Sequence, residues 1–357
     1  MEARAEESAE AETTMVNADG VRQRLLELPK AELHLHMEGS MRQETANELA
    51  DCYGTNPIVP PREYSTWSSF SVQYERCRAL VGCLEDVRRI VAEIFEDAGA
   101  LGTAWTELHL VPHLYHGRLG PLEGLVEAAL DGMRSASRHG DGTGGLILAV
   151  DRNLGGPEAL EIAKLAVRYH DDGVVAMGLT GDETTSGFED FVEAFDFVRD
   201  SGLGVVPHSG EQGPASNVRR TIDLFRPDRI CHGISAAQDA AIVQILRERQ
   251  VCLDVAVTSN VKLKSVPALC DHPVAELARA GIPISLSADI TLLAGSTIVD
   301  EYELAFRELG MSAGELGQVA ANSLRYACAP EDLMARYASE IDTWVEKVGS
   351  ELDSPKT

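Results

Sequence analysis

Short β-type segments alternate with helical segments along almost the whole chain. Between the β-type runs, apolar residues recur at helical spacing, and several of these stretches end at glycine. Eight such runs lie at 31–36, 104–111, 145–152, 174–181, 204–211, 229–233, 251–257 and 282–289. Eight β/α units in 357 residues predict a (β/α)8 TIM barrel. A doubly wound open sheet is the alternative.

The segment after the first run is much longer than the later connections. It contains PPREYSTWSSFSVQYERCRALVGC, which predicts a helical insertion after strand 1. Such an insertion would lie over the top of the barrel and could act as a lid. Residues 1–18 are acidic and alanine-rich, without an apolar core, and predict a disordered tail. Residues 19–357 are then expected to form a single barrel domain.

Charge and composition exclude several classes of partner. The formal net charge is −26, so the surface repels phosphate backbones and anionic membranes, and nucleic acid is not an expected partner. No apolar run is long enough to span a bilayer. The seven cysteines are scattered without a CxxC pair, which is typical of reduced thiols in a cytoplasmic enzyme. A homo-oligomer is compatible with all of this.

Polar residues stand at the ends of several predicted strands, where barrel enzymes carry their chemistry. His34 and His36 are two residues apart, so on a strand they face the same side. With His208 and Asp289 they offer three nitrogens and one oxygen, a suitable shell for one Zn²⁺ per chain. Each alone has a plainer explanation: an HxH pair is usually incidental, and an aspartate can cap a helix. Their joint placement favours a metal site.

Strand 4 carries no lysine that could bridge a second metal, so a mononuclear site is expected. Nitrogen and oxygen ligands discriminate weakly among Zn, Fe, Mn and Co. The other histidines carry less weight. We expect few ligands among His109, His113 and His116, and solvated side chains for His139, His170 and His272.

The motifs LPKAELHLHMEGSMR, LTGDE, HSGEQGPASNV, RICHG, TSN and SLSAD occur in one order along the chain. In order and spacing they resemble the adenosine deaminase family of the amidohydrolase superfamily, from about Leu28 to Pro330. The resemblance implies a zinc barrel that hydrolytically removes the 6-amino group of an adenine-type base. It implies His34, His36, His208 and Asp289 as the zinc ligands.

The resemblance also implies roles for the remaining site residues. Glu211 would protonate a ring nitrogen, and His232 would orient and help deprotonate the attacking water. Gly181 would offer a backbone contact to the base, and Glu38 stands near the sugar or its replacement. Protonating the nitrogen offsets the loss of aromaticity when water attacks, and a positioned acid supplies roughly 10²–10⁴-fold. The HxE…PCxxC signature of deaminases that edit nucleic acids is absent.

The base-recognition positions depart from the family pattern. Ile290 follows the metal aspartate, where the family typically has a second aspartate that bonds purine N7. An N7 buried against isoleucine would lose about 1–3 kcal/mol, or roughly 10- to 150-fold in affinity. Ala256 and Val257 precede TSN in place of Cys-Pro, and Gly178 stands where an aspartate is common.

Three hypotheses follow from this pattern. The chain deaminates an adenine nucleoside or a relative such as aminodeoxyfutalosine, with N7 satisfied by another group. Alternatively, it is specialised for a base without a polar N7, such as a 7-deazapurine or a non-purine amino-heterocycle, which Ile290 would suit. Thirdly, it is a non-catalytic metal-binding homologue. Intact Glu211 and His232 argue against the third.

Overall fold

Eight parallel strands form one sheet in sequence order. The computed structural model describes residues 20–139, 142–184 and 187–352. The strands are β1 (Lys30–His36), β2 (Thr103–Leu110), β3 (Gly144–Asp151), β4 (Val174–Thr180), β5 (Gly204–Ser209), β6 (Arg229–His232), β7 (Cys252–Val255) and β8 (Ile284–Leu286). The predicted (β/α)8 TIM barrel is confirmed. The tail predicted at residues 1–18 lies outside the described ranges.

The first and last strands meet through the residues that follow β8. An isolated parallel bridge joins Leu35 to Asp289. The amide of His36 donates to the Asp289 oxygen at 2.8 Å, and the amide of Asp289 donates to the His34 oxygen at 3.0 Å. Asp289 has a φ of 64°, so regular extended backbone cannot continue through it. Strand β8 itself ends at Leu286, so it is shorter than the predicted run 282–289.

Helices surround the barrel, and the expected insertion after strand 1 is present. They are α1 (20–27), α2 (Gln43–Tyr53), α3 (Trp67–Leu80), α4 (Leu84–Ala100), α5 (Leu122–His139), α6 (Gly156–Arg168), α7 (Val192–Asp200), α8 (Ala215–Phe225), α9 (Ala240–Arg249), α10 (Val257–Lys262), α11 (Val274–Arg279), α12 (Thr291–Ala294), α13 (Ile298–Arg307), α14 (Ala313–Arg325) and α15 (Leu333–Leu352). In the described ranges, none of these helices has the length and apolar character needed to cross a membrane.

Local sequence fixes the start of the inserted helix α3. The Thr66 hydroxyl accepts from the Ser69 amide at 3.1 Å, and the Ser69 hydroxyl accepts from the Thr66 amide at 3.1 Å. This reciprocal capping satisfies two donors that the first turn would otherwise leave unpaired. Helix α3 therefore begins at Trp67 and directs Phe70 toward the barrel, where it is buried.

Below the strand ends, the barrel interior holds a charged cluster. Arg229 is fully buried and pairs with Asp254, from its Nε at 2.8 Å, and with Glu107. It also donates to the Tyr326 carbonyl at 2.6 Å. A buried cation is costly unless paired and hydrogen-bonded, and both conditions are met here. This cluster forms a paired polar layer inside the barrel.

Candidate active site

Four side chains converge at the carboxyl end of the barrel. His34 and His36 lie on β1, His208 lies on β5 and Asp289 follows β8. The Nε2 atom of His208 lies 2.9 Å from that of His34 and 3.0 Å from that of His36. The two β1 nitrogens are 3.3 Å apart. Asp289 Oδ1 lies 3.5 Å and 3.4 Å from the same two nitrogens.

This donor set fits one metal ion. With metal–nitrogen bonds of about 2.0–2.1 Å, neighbouring ligand atoms of a tetrahedral shell lie about 3.3 Å apart. The Nδ1 of His34 lies 3.4 Å from the Asp254 carbonyl, so its proton points there and Nε2 keeps its lone pair. Burial and the neighbouring histidines hold the pKa of His34 and His208 well below the usual value. Neutral imidazole is the form that binds metals.

Glu211 lies on the turn after β5 and is almost fully buried. Its Oε2 lies 3.5 Å from the Nε2 of His232, and its Oε1 accepts from the Ser265 hydroxyl at 3.5 Å. Burial first, and then the nearby Asp289 and Glu183 carboxylates, raise the pKa of Glu211 well above its ordinary value. A carboxylic acid kept protonated in this way can donate a proton to a bound molecule.

A chain of hydrogen bonds sets the proton position on His232. The Val274 amide, a donor, lies 3.3 Å from His272 Nδ1, so the proton of neutral His272 is on Nε2. That nitrogen donates to Asn260 Oδ1 at 3.3 Å, and Asn260 Nδ2 donates to His232 Nδ1 at 3.0 Å. Neutral His232 therefore carries its proton on Nε2, facing Glu211.

The prediction of a solvated His272 was wrong. His272 is 5% exposed and belongs to this hydrogen-bond chain, because the turn before α11 folds back under Asn260. His170 is exposed, as expected, and the side chain of His139 lies outside the described atoms. His109 is buried and stacks on His36 with ring centroids 4.8 Å apart. Its Nε2 lies 3.8 Å from the Cys231 sulfur, and one ring nitrogen each of His34 and His109 lies within 4.8 Å of that sulfur.

Two site residues have left-handed backbone conformations. His232 has a φ of 67° and Asp289 a φ of 64°. Non-glycine residues adopt this region rarely and at a cost of about 1–3 kcal/mol, and such residues cluster at functional sites. At both positions the strained backbone aims the side chain into the barrel mouth, among the other site residues.

A cavity of about 420 Å³ opens above these residues, within the size range of small-molecule sites. Its floor is formed by His36, His208, His232, Glu211 and Asp289. Helix α3 forms one wall with Trp67, Phe70 and Tyr74, whose neighbouring ring centroids lie 5.2 Å and 5.7 Å apart. This aromatic wall offers flat apolar surface to a planar heterocycle.

The three residues expected to contact a substrate occupy different environments. Gly181 lines the cavity with a φ of 92°, and a Cβ there would lie 3.0 Å from Asp151 Oδ1. Ile290 lines the opposite side, and a Cβ on Gly39 would lie 2.4 Å from its Cγ2. Glu38 lies behind the cavity wall. It is 1% exposed and accepts from the hydroxyls of two tyrosines, Tyr74 at 2.8 Å and Tyr115 at 2.6 Å.

Sequence reasoning missed four residues that hold this site together. The Ser259 hydroxyl bonds Asp289, Asn260 bonds His232, Glu183 bonds the turn that carries Glu211, and Arg152 donates to the His208 carbonyl. Three of them fall within the motifs LTGDE and TSN, so these motifs already indicated that the three residues belong to the site. Spacing alone does not reveal contacts to the backbone of a distant turn.

The chain is similar to known deaminases over nearly its whole length. The family model for adenosine deaminase matches residues 29–344. A putative adenosine/adenine deaminase from Streptomyces virginiae is 38% identical over 89% of this chain and 97% of that protein. The structure of an adenine deaminase from Arthrobacter aurescens has a TM-score of 0.82 at 28% identity, covering 89% of this chain and 99% of that one. An amidohydrolase from Burkholderia ambifaria with bound zinc has a TM-score of 0.82 at 26% identity, covering 92% and 94%.

Proposed function

The chain belongs to the adenosine deaminase family and is a hydrolytic deaminase, and we propose that it removes the 6-amino group of an aminopurine nucleoside or related amino-heterocycle with one bound zinc ion. The observation that carries the proposal is the convergence of four ligand atoms beside a buried acid at the floor of one cavity. Water replaces the amine, and the corresponding oxo compound and ammonia are released as products.

His34, His36, His208 and Asp289 would hold the ion. A zinc ion held there would lower the pKa of its bound water to about 7, which would supply a nucleophile near neutral pH. The fit of the donor set and the zinc bound by the Burkholderia ambifaria amidohydrolase both support this choice of metal.

Glu211 acts as the general acid. Its raised pKa keeps a proton available, and its place on the cavity floor lets it reach a ring nitrogen beside the carbon that carries the amine. Protonation there makes that carbon electrophilic and offsets the lost aromaticity as water attacks. Glu211 thus gives its proton to the ring nitrogen and regains one from the attacking water, and the second water proton leaves with the ammonia.

His232 orients the attacking water as a hydrogen-bond donor. Asn260 donates to its Nδ1, so the Nε2 proton of the neutral ring faces the reaction space and Glu211. Deprotonation of water by His232 would need the other tautomer, which the Asn260–His272 chain disfavours. We therefore assign His232 the orienting role rather than that of a base.

A second candidate substrate has an apolar group in place of purine N7. Ile290 supports it, because this buried side chain lines the cavity next to Asp289 and offers no hydrogen bond. A 7-deazapurine nucleoside or a non-purine amino-heterocycle would meet Ile290 without an unpaired acceptor.

Ammonia release by zinc-loaded protein tests the proposal. The panel holds adenosine, deoxyadenosine, adenine, AMP, aminodeoxyfutalosine, the 7-deaza nucleoside tubercidin and several aminopterins. Strong turnover of adenosine or adenine supports the first substrate class, and a preference for tubercidin supports the second. Absence of ammonia from every amine, with zinc bound, would overturn both in favour of a non-catalytic metal-binding protein.

A further inference from the structure

The turn that joins His208 to Glu211 is held by one carboxylate from another strand end. Glu183 follows β4, and its Oε2 accepts from the Gly210 amide at 2.7 Å. Its Oε1 accepts from the Glu211 amide at 2.7 Å and from the Gln212 amide at 3.1 Å. Three successive backbone amides therefore converge on a single buried side chain.

The same turn is held from its other end by a cation. Arg152, at the end of β3, is buried and donates to the backbone oxygen of His208 at 2.5 Å. Its guanidinium lies 5.1 Å above the ring of Phe188, which fixes its plane. The Glu183 carboxylate and the Arg152 guanidinium, from adjacent strand ends, thus bind opposite ends of the segment 208–212.

Two glycines make this close approach possible. Gly210 has a φ of 73°, and a Cβ there would lie 2.3 Å from Val218 Cγ2. A Cβ on Gly213 would lie 2.5 Å from Glu183 Oε2 itself. Gly210 therefore resists a larger residue through its backbone conformation as well as its contacts, and at Gly213 a larger residue would displace the Glu183 and Asn217 side chains.

We propose that Glu183 is a positioning residue that fixes the Glu211 carboxyl relative to the metal ligand His208. In this role its carboxylate acts on Glu211 through the three backbone amides of the turn. The inference rests on the proposed function of Glu211 as the acid. A carboxylate matches three convergent N–H donors, whereas an amide of the same shape would turn its NH₂ group toward at least one of them.

The test compares Glu183→Gln with a matched control, Asp228→Asn. Asp228 also accepts a backbone amide through its carboxylate, from Val205 at 2.8 Å, but at the opposite end of β5. In Glu183→Gln we expect kcat to fall about 10- to 100-fold, as a displaced catalytic group would cause. KM is expected to stay within about 3-fold and zinc content at one per chain. The control is expected to match the parent protein in all three quantities.

The pH profile separates positioning from a purely structural role. The charged and titratable groups facing Glu211 are Asp289, Glu183 and His232. Removing the Glu183 charge is expected to shift the basic limb of kcat to lower pH, because a neighbouring negative charge favours protonated Glu211. Glu183→Asp keeps the charge but has a shorter side chain. We expect it to lower kcat in part and to leave the basic limb at the same pH. If Glu183→Gln only unfolded part of the protein, the maximal kcat would fall and the basic limb would stay at the same pH. That result would overturn the proposal.

Amide hydrogen exchange gives a readout that does not depend on turnover. In the parent protein, the amides of residues 210–212 are expected to be protected, and in Glu183→Gln their exchange is expected to accelerate at least 10-fold. Rapid exchange of these amides in the parent protein would overturn the inference even if neither variant folds. If the parent protein releases no ammonia but its 210–212 amides are protected, the proposed function is wrong while the backbone contacts of Glu183 are still supported.

Discussion

The Ser259 hydroxyl donates to Asp289 Oδ2 at 2.6 Å, while Oδ1 of the same carboxylate lies 3.4 Å from His36 Nε2. One oxygen is therefore bound by the protein, and the other faces the histidines that are the proposed metal ligands. This arrangement fixes the carboxylate plane before any ion arrives. Outer hydrogen bonds of this kind orient ligands, and their loss typically weakens metal binding 10- to 100-fold.

Ser259→Ala is accordingly expected to raise the dissociation constant for zinc about 10- to 100-fold. Competition with a chelator of known affinity measures the change. Ser323→Ala is the matched control, because Ser323 is also fully buried and binds the Ala31 amide at 2.8 Å, away from the ligands. Equal zinc affinity in the two variants would show that the Ser259 contact does not orient Asp289.

Glu211→Gln is expected to leave zinc bound and to lower kcat by about 10²–10⁴-fold. Glutamine has nearly the same shape but cannot deliver an acidic proton to the ring nitrogen. Ammonia release and metal analysis of the same sample check the two halves of this expectation. Turnover within a few-fold of the parent protein would remove Glu211 from the acid role.

Ile290→Asp is expected to raise the ratio of kcat/KM for adenosine over tubercidin about 10-fold or more. Ile290 is 1% exposed, and an aspartate so buried is held neutral and can donate to purine N7. Tubercidin has carbon at that position and gains nothing. Ile290→Leu is the control and should leave the ratio near its parent value. An unchanged ratio in the aspartate variant would place the base elsewhere in the cavity.

The buried Lys30 predicts a pH-dependent stability. Its Nζ donates to the Leu25 and Leu28 carbonyls at 3.0 Å and 3.1 Å, and burial lowers the pKa of Lys30 to about 8. Below pH 8 both states hold the proton, and the buried charge destabilises the fold. From pH 8 to the unfolded value of 10.5, the unfolded chain binds more protons, so this penalty disappears.

The unfolding free energy of the parent protein, minus that of Lys30→Met, is therefore expected to increase by up to about 3 kcal/mol over this pH window. Denaturant titrations near both ends of the window measure the difference. Lys164→Met removes an exposed lysine and should give a flat difference. A flat result for Lys30→Met as well would mean that its amine is solvated in the folded protein.

The barrel and the convergence of its polar residues were predictable from sequence because both follow from simple periodicity. Alternating β and helical patterns predict eight strands, and residues at the ends of parallel strands must meet at one rim. This reasoning brought His34, His36, His208 and Asp289 together, as found.

The supporting contacts were not predictable in the same way. Glu183 binds amides 27 to 29 residues further along the chain, and a backbone amide has no sequence signature. His272 seemed a loop residue because its burial depends on where the turn before α11 packs. Glu38 could not be assigned its tyrosine partners, since Tyr74 comes from the inserted helix and Tyr115 from beyond β2.

The seam between β1 and β8 is made by the backbone of His34, His36 and Asp289, which are three of the four proposed metal ligands. A metal ion at this site would therefore link β1 to the segment after β8, and these are the first and the last of the eight strands to be synthesised. A nascent chain holds two histidine ligands from its first strand but completes the shell only when the last strand docks. Metal binding would therefore be linked to closure of the β1–β8 seam, and chelation is expected to loosen the barrel there.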